Sequence, residues 1–570
     1  MKTLTSLLRA ARGLEPADLV FKGGRVFNVF TGESEETDLA VKGGLIAGLG
    51  RYHGLREVDV SSRFLVPGFI DPHLHIESSM LSPAELAAVV VPRGTTALVA
   101  DPHEIANVLG LKGVEYLLRA GANLPLDIFF MSPSCVPATH LETSGAELGA
   151  EDLRPLLDEP RVLGLAEVMN FPGVINGLPE VIKKLELFAS RPIDGHAPLL
   201  SGADLCAYLV PGIGTEHECS MLSEAREKLA RGMRIFIREG SQAKNLADLL
   251  PLVTDHNFRR VSFCTDDRHP GDLVHEGHLD HVLGRAVSLG LTPNRALTMA
   301  TLNAAEAFGL KKRGALAPGY RADVVVLRSA EKFEVEQVFK DGRLVAAGGE
   351  MTVPVTRTAI PEWAGPMNVA PLDQAALETR VAGPRVRVIE LIPGQLLTGH
   401  AIVDTPSQNG LLTADSGRDL AHLAVVERHH GTGNVGLGLV KGFGFKQGAL
   451  ASSVAHDSHN IVAAGMSAAE ILLAVKTVER MRGGLAVAAG NQVLAELPLP
   501  LAGLMSPAPA REVAAAGQKV KSAARELGCR LDDPFMVLSF LALPVIPRLK
   551  LTDRGLVDVE KFDFISLFAD

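Results

Sequence analysis

Two histidines stand one residue apart in Asp71-Pro72-His73-Leu74-His75-Ile76-Glu77, directly after the apolar run 64–70. In a strand, side chains at i and i+2 point to the same side, so His73 and His75 at a strand's end can offer two imidazoles to one cation. Alone the pair is a weak signal, since histidines so spaced also serve as ordinary surface or core residues. Here it has company. Polar residues end the apolar runs that follow: Asp101, His103 and Glu104, then Glu167, then Asp194 and His196, then Glu216, His217 and Glu218, then Asp266 and Asp267. Histidine and carboxylate sets admit manganese, iron or zinc. Such an ion makes water a nucleophile at neutral pH by lowering its pKa from about 15.7 to roughly 7. The chemistry on offer is metal-assisted hydrolysis.

A scaffold must bring these strand ends together. Short apolar runs at 95–100, 126–130, 162–167, 234–237 and 260–264 read as strands, and 83–91 and 112–120 read as helices from their three-to-four spacing. Repeated β-then-α predicts parallel strands, and a (β/α)8 TIM-like barrel fits the length, with its site at the C-terminal ends of the strands. Before it, 19–27 and 39–46 each carry Gly-Gly between apolar runs and read as strand and turn. After it, 314–327 and 335–345 return to that style, so the two β segments are expected to complete one small sandwich. A proline-rich stretch at 354–384 marks a boundary, and helices at 468–482 and 510–527 predict a C-terminal α/β domain. The expected division is therefore 1–66 and 311–370 for the two halves of the sandwich, 67–310 for the barrel and 371–570 for the last domain.

The flanking β segments, the HxH after the first strand, the histidines after the fifth and sixth and an aspartate after the eighth resemble the amidohydrolase superfamily. The segments DPHLHIESSM, ADPHEIANVLG, GLAEVMNFPGV, DGHAP, FCTDDRHP and NVGLGLVKGFGFKQGALASSVAHDSHNIV are similar to those of bacterial adenine deaminases, over nearly the whole chain. That resemblance implies two divalent ions held by His73, His75, Glu167, His196, His217 and Asp266, with manganese favoured and ferrous iron or zinc also admitted. Glu167 would bridge them where many superfamily members use a carbamylated lysine. It also implies an activity: hydrolytic deamination of adenine to hypoxanthine and ammonia in purine salvage, by a hydroxide bridging the ions, with adenine and water as substrates.

In that reading Asp266 takes the hydroxide's proton and passes it toward the departing nitrogen, while Glu218 protonates ring nitrogen N1. Asp101, His103 and Glu104 are expected either to orient ligands or to touch the base or the hydroxide. Asp266 and Asp267 face opposite ways along a strand; Asp266 is taken as the ligand, and a slip of one residue exchanges them. Asn170 and Phe171 offer an amide and a ring face to a purine, or equally a loop and a core aromatic. His275, His278 and His281 repeat every three residues and read as one face of a surface helix. The loop Gly442 to Gly448 lacks the GK[ST] ending of a phosphate loop, and the segment from Ser452 to Asn460, with its HDSH core, is expected to close over the barrel mouth.

The chain has 570 residues, 47% of them hydrophobic, and a formal net charge of -10. That charge offers no basic stripe for nucleic acid, and no stretch reads as a membrane span. Five scattered cysteines without CxxC spacing fit a reducing cytoplasm and exclude the zinc base deaminases that carry P-C-x-x-C. A homo-oligomer, most simply a dimer, is expected. The competing readings are a different binuclear cyclic amidohydrolase and a barrel scaffold without catalysis, separated by substrate screening and by metal content.

Overall fold

The computed structural model describes residues 2–393, residue 395 and residues 397–569. Its centre is a set of parallel strands. Phe69–Leu74, Thr95–Ala100, Asp127–Ser132, Val162–Val168 and Ile193–Gly195 form a five-stranded sheet, and Thr215–Glu216, Arg234–Arg238 and Val261–Cys264 a three-stranded one. Parallel bridges from Ile193 to Ile213 and from Leu74 to Asp266 connect the two sheets at both edges, so the parallel strands curl. Thr95–Ala100 is buried at every position, as expected of a parallel strand covered on both faces. Ile70, Ala97, Val99, Met131, Ala166, Phe236 and Cys264, from six of these strands, pack into one apolar cluster, and the polar residues follow at the strand ends.

Strands on both sides of this region in sequence share one nine-stranded sheet. Val324–Leu327 pairs antiparallel with Phe64–Pro67, which in turn pairs with Ala17–Asn28, so the chain returns to its starting sheet after the last helix of the parallel region. The first Gly-Gly is not a turn. Residues 17–28 run as one strand whose register slips between Phe21 and Gly24; glycines there make a bulge, whereas Gly43 and Gly44, at φ +59° and +76°, do form a hairpin turn. Lys340 fastens this sheet to the parallel strands through Asp127 at 2.5 Å and Asp323 at 2.8 Å.

The C-terminal region holds a second nine-stranded sheet that includes Arg385–Leu391, Leu420–Val426, Ala449–Ser452, Ile461–Gly465 and Gly484–Ala489. Helix Ala468–Arg480 starts at Ser467, whose hydroxyl accepts the Glu470 N–H as an N-cap should, and it buries Ile471, Ala474, Val475 and Val478 against the sheet. The loop Gly442 to Gly448 is filled by Phe443 and Phe445, stacked 4.9 Å apart and buried, which leaves its role structural. This region is bonded into the mouth of the parallel strands: Ser506 and Met80 share a backbone bond of 2.8 Å, Thr143 donates from both its N–H and its hydroxyl to Asp553, and the Asn460 amide reaches the Thr143 carbonyl at 2.8 Å. Among the described residues no helix is long and apolar enough to cross a membrane.

Candidate metal centre

The strand ends bring His73, His75, Glu167, His196, His217 and Asp266 into one cluster, all buried but His196, whose side chain is 22% exposed. Both oxygens of Glu167 are flanked by imidazoles. His75 Nε2 lies 3.3 Å and His103 Nδ1 3.6 Å from Oε1, while His196 Nδ1 lies 2.5 Å and His217 Nε2 3.3 Å from Oε2. Asp266 Oδ1 sits 3.2 Å from His75 Nε2 and 3.7 Å from His73 Nε2. Its backbone takes φ +53°, a left-handed conformation that aspartate tolerates better than most residues, and its N–H donates to the His73 carbonyl at 3.1 Å. That bond ties the last parallel strand to the first. Asp267 is held apart, accepting the Ser78 hydroxyl.

Partners behind the imidazoles fix their tautomers. His73 Nδ1 donates to Asp194 Oδ2 at 2.8 Å and His75 Nδ1 to the Asp101 carbonyl at 3.1 Å, which leaves each Nε2 lone pair for the cluster, the arrangement that ligating histidines need. Asp194 is in turn steadied by the Gly195 N–H and the Thr215 hydroxyl. His73 Nε2, His103 Nδ1, His217 Nδ1 and Asp101 Oδ2 are buried without any hydrogen-bond partner. Such orphans are costly, and a cation facing His73 Nε2 would relieve that one, whereas His217 turns Nε2 rather than its orphaned Nδ1 to Glu167. The electrostatics agree: burial opposes charge on His73 and His75, yet Asp194 and Asp266 respectively outweigh it and raise both imidazoles well above their ordinary range. A field that gathers protons onto imidazoles also favours a metal ion. Among the described residues, the groups that could hold one include His75, Asp101, His103 and Glu167; His73, His75 and Asp266; His73, Asp194 and His217; and Glu167, His196 and His217.

Arg238, at the end of its strand, is the participant missed in the sequence. Its Nη1 contacts Asp266 Oδ2 at 2.6 Å, and the same guanidinium grips Glu218 with both nitrogens. Burial alone raises both carboxyls, but Arg238 reverses that and holds Glu218 below, and Asp266 well below, the usual carboxylate range. A signal for it exists, since Arg238 directly follows the apolar run 234–237 that reads as a strand. His103 also stands beside the cluster, its Nδ1 3.6 Å from Glu167 Oε1 and 3.2 Å from Asp101 Oδ1. Glu104 does not join Glu167; it turns to the C-terminal segment, where His456 Nδ1 meets it at 2.6 Å and His459 Nε2 meets its other oxygen. The structure thus brings the HDSH loop to the strand ends.

Other residues settle differently. Asn170 uses its side-chain oxygen to cap the short helix Phe171–Ile175 by accepting the Gly173 N–H at 2.9 Å. The three spaced histidines do not share a surface helix. Gly277, at φ +125°, breaks the helix after His275 and turns His278 inward, where it bonds Thr95 at 2.8 Å and approaches Asp71 at 3.2 Å. Behind His196 and His217, Lys228 is fully buried and donates to Glu216 at 2.9 Å, Glu224 at 2.8 Å and the Ala197 carbonyl at 2.6 Å. Removing one partner of a buried charge cluster costs about 3–5 kcal/mol. Lys228→Met is therefore expected to lower stability by that amount, read by urea unfolding; a loss below about 1 kcal/mol would show that water reaches the two carboxylates.

The amidohydrolase family pattern matches residues 64–345, and the pattern described as the adenine deaminase C-terminal domain matches residues 395–563. Fold and site together define a metal-dependent hydrolytic enzyme of the amidohydrolase class. The chain is 51% identical to the adenine deaminase of Desulfatibacillum aliphaticivorans over 99% of both chains, and 48% identical to that of Dehalococcoides mccartyi, again over 99% of both. It is 49% identical to adenine deaminase 2 of Carboxydothermus hydrogenoformans over the whole of each chain. The chain belongs to the adenine deaminase family.

Proposed function

We propose that this protein hydrolyses adenine to hypoxanthine and ammonia, at the mouth of a closed (β/α)8 barrel that holds two divalent ions, manganese by preference and iron or zinc as alternatives. The observation that carries the reading is Glu167, a buried carboxylate with imidazoles on both oxygens. His73, His75 and Asp266 would hold one ion with Glu167, and His196 and His217 the other. When bound, such ions activate water at neutral pH and stabilise developing negative charge.

The chain's own residues do the rest. Asp266, kept ionised by Arg238, is placed to take the proton of the attacking water and to return it to the leaving amino group; such help is worth roughly a hundred- to ten-thousand-fold. Glu218 is ionised at rest for the same reason, so it would serve N1 by accepting one proton of the water as that water is activated and handing it to N1, while the water's second proton passes by way of Asp266 to the amino group. Asp101 and His103 steady the metal ligands, and the C-terminal segments close the mouth. The division proposed is 67–310 for the barrel, 1–66 and 311–370 for the flanking β unit, and 371–570 for the closing domain. We place the enzyme in the cytoplasm, which its five free cysteines support, and propose a homodimer, to be checked by light scattering.

The test is an ultraviolet and ammonia assay on chelator-treated, manganese-reloaded protein given adenine, adenosine and cytosine separately. Conversion of adenine alone is the expected result. A metal-loaded protein that opens a cyclic amide and leaves adenine untouched would replace this reading.

A further inference from the structure

The C-terminal loop carries more polar organisation than a lid needs. His459 accepts the Ala455 N–H on Nδ1 at 3.1 Å, so its proton is on Nε2 and is donated to Glu104. The His459 carbonyl accepts Nε of Arg428, a side chain fully buried among carbonyls that also donates to Ala502 at 2.9 Å. The loop is thereby fixed from behind. In front of it His456 gives its Nδ1–H to Glu104 at 2.6 Å and stacks on Phe540, ring centroids 4.6 Å apart and 20° from parallel.

Both oxygens of Glu104 are thus committed, whereas one nitrogen of His456 is not. Among the described residues none bonds His456 Nε2. The ring lines a cavity between the parallel strands and the C-terminal region, walled by Ser78, Met80, His269, Phe535 and Met536 among others. None of the six candidate ligands lines this cavity; His456 is linked to them through Glu104, whose Oε1 lies 3.7 Å from His103 Nε2, while His103 Nδ1 lies 3.6 Å from Glu167. Burial alone would discharge His456, but the Glu104 carboxylate outweighs it and pushes the imidazole up to about 9. The same cavity is lined by Asp272, Gln518, Lys521 and Asp533 as well as by apolar side chains, and a few placed polar groups among apolar walls are what small-molecule pockets use to orient a flat heterocycle.

We infer that His456 is a substrate-binding residue supplied by the C-terminal region, its Nε2–H donating to N3 or N7 of the purine, and that Glu104 is the positioning residue that aims it. This rests on the deamination reading for the identity of the base. Glu104 then acts through His456 and does not itself touch the substrate. It also gives the C-terminal region a direct part in binding the base.

The test pairs a side chain with a substrate atom. Metal-loaded wild type, H456F, which keeps a ring on Phe540, and H456Q, which keeps an N–H, are assayed with adenine, 3-deazaadenine and 7-deazaadenine, with circular dichroism and metal content as controls for folding. H456F should lose about tenfold to a hundredfold in kcat/KM on adenine, the range for a hydrogen bond to a charged group, with KM carrying much of it. H456Q should recover part of the loss. On the one analogue lacking the contacted nitrogen, H456F and wild type should be nearly equal. An equal loss on all three substrates would overturn the contact. Calorimetric titration of adenine into the same proteins decides even if no deamination is seen: weaker binding by H456F supports the inference, and equal binding, or none by wild type, overturns it.

Discussion

Glu167→Ala protein is expected to bind less than one equivalent of manganese after reloading and to deaminate adenine at least about a thousandfold more slowly, since ions in such sites supply several kcal/mol of charge stabilisation. The argument is geometric. Glu167 has two imidazoles near each of its oxygens, with His75 and His103 toward Oε1 and His196 and His217 toward Oε2. Removing it separates the two groups of ligands and leaves four imidazoles without the anion between them. His73 keeps Asp194 and His75 keeps the Asp101 carbonyl, so the fold should persist while the metal content falls. Elemental analysis beside the ammonia assay checks this. A Glu167→Ala protein that still holds two equivalents would show that the Asp101 carboxylate, beside His103 in the same group, can bridge in its place.

Much of this is legible in the sequence because the chemistry lies at strand ends, where hydrophobic period and polar terminus adjoin along the chain. The helices expected at 83–91 and 468–482 fall within a residue or two of Pro83–Val90 and Ala468–Arg480, since three-to-four spacing survives without tertiary help. The polar strand ends come into view the same way, the choice of six candidate ligands among them follows from the family resemblance, and the structure places those six side chains near one another. What stays hidden depends on distance in sequence. Nothing local reveals that Glu104 faces His456 and His459, more than three hundred positions away. The inward turn of His278 is hidden for a different reason, because a single left-handed glycine defeats a spacing argument. Arg238 lies one position past the end of a run, and a basic residue beside acidic ligands reads as surface until its partners are known.

Sequence alone leaves two adjacent aspartates as rivals, and the geometry separates them into a testable contrast. Asp266 faces His73, His75 and Arg238, whereas Asp267 accepts the Ser78 hydroxyl. Asp266→Asn should therefore cut kcat by about a thousandfold, within the range for loss of general acid-base help, because the amide cannot take a proton from the attacking water. It also leaves Arg238 with only Glu218 for a counter-charge. Asp267→Asn keeps a hydrogen-bond acceptor for Ser78 and should cost less than about tenfold, since one neutral bond is worth about 1 kcal/mol. Steady-state kinetics on both variants, with metal content measured in parallel, decide the matter. If Asp267→Asn is the slower enzyme, the register at the end of Val261–Cys264 is wrong by one residue, and the roles proposed for Asp266 and for Arg238 fall together.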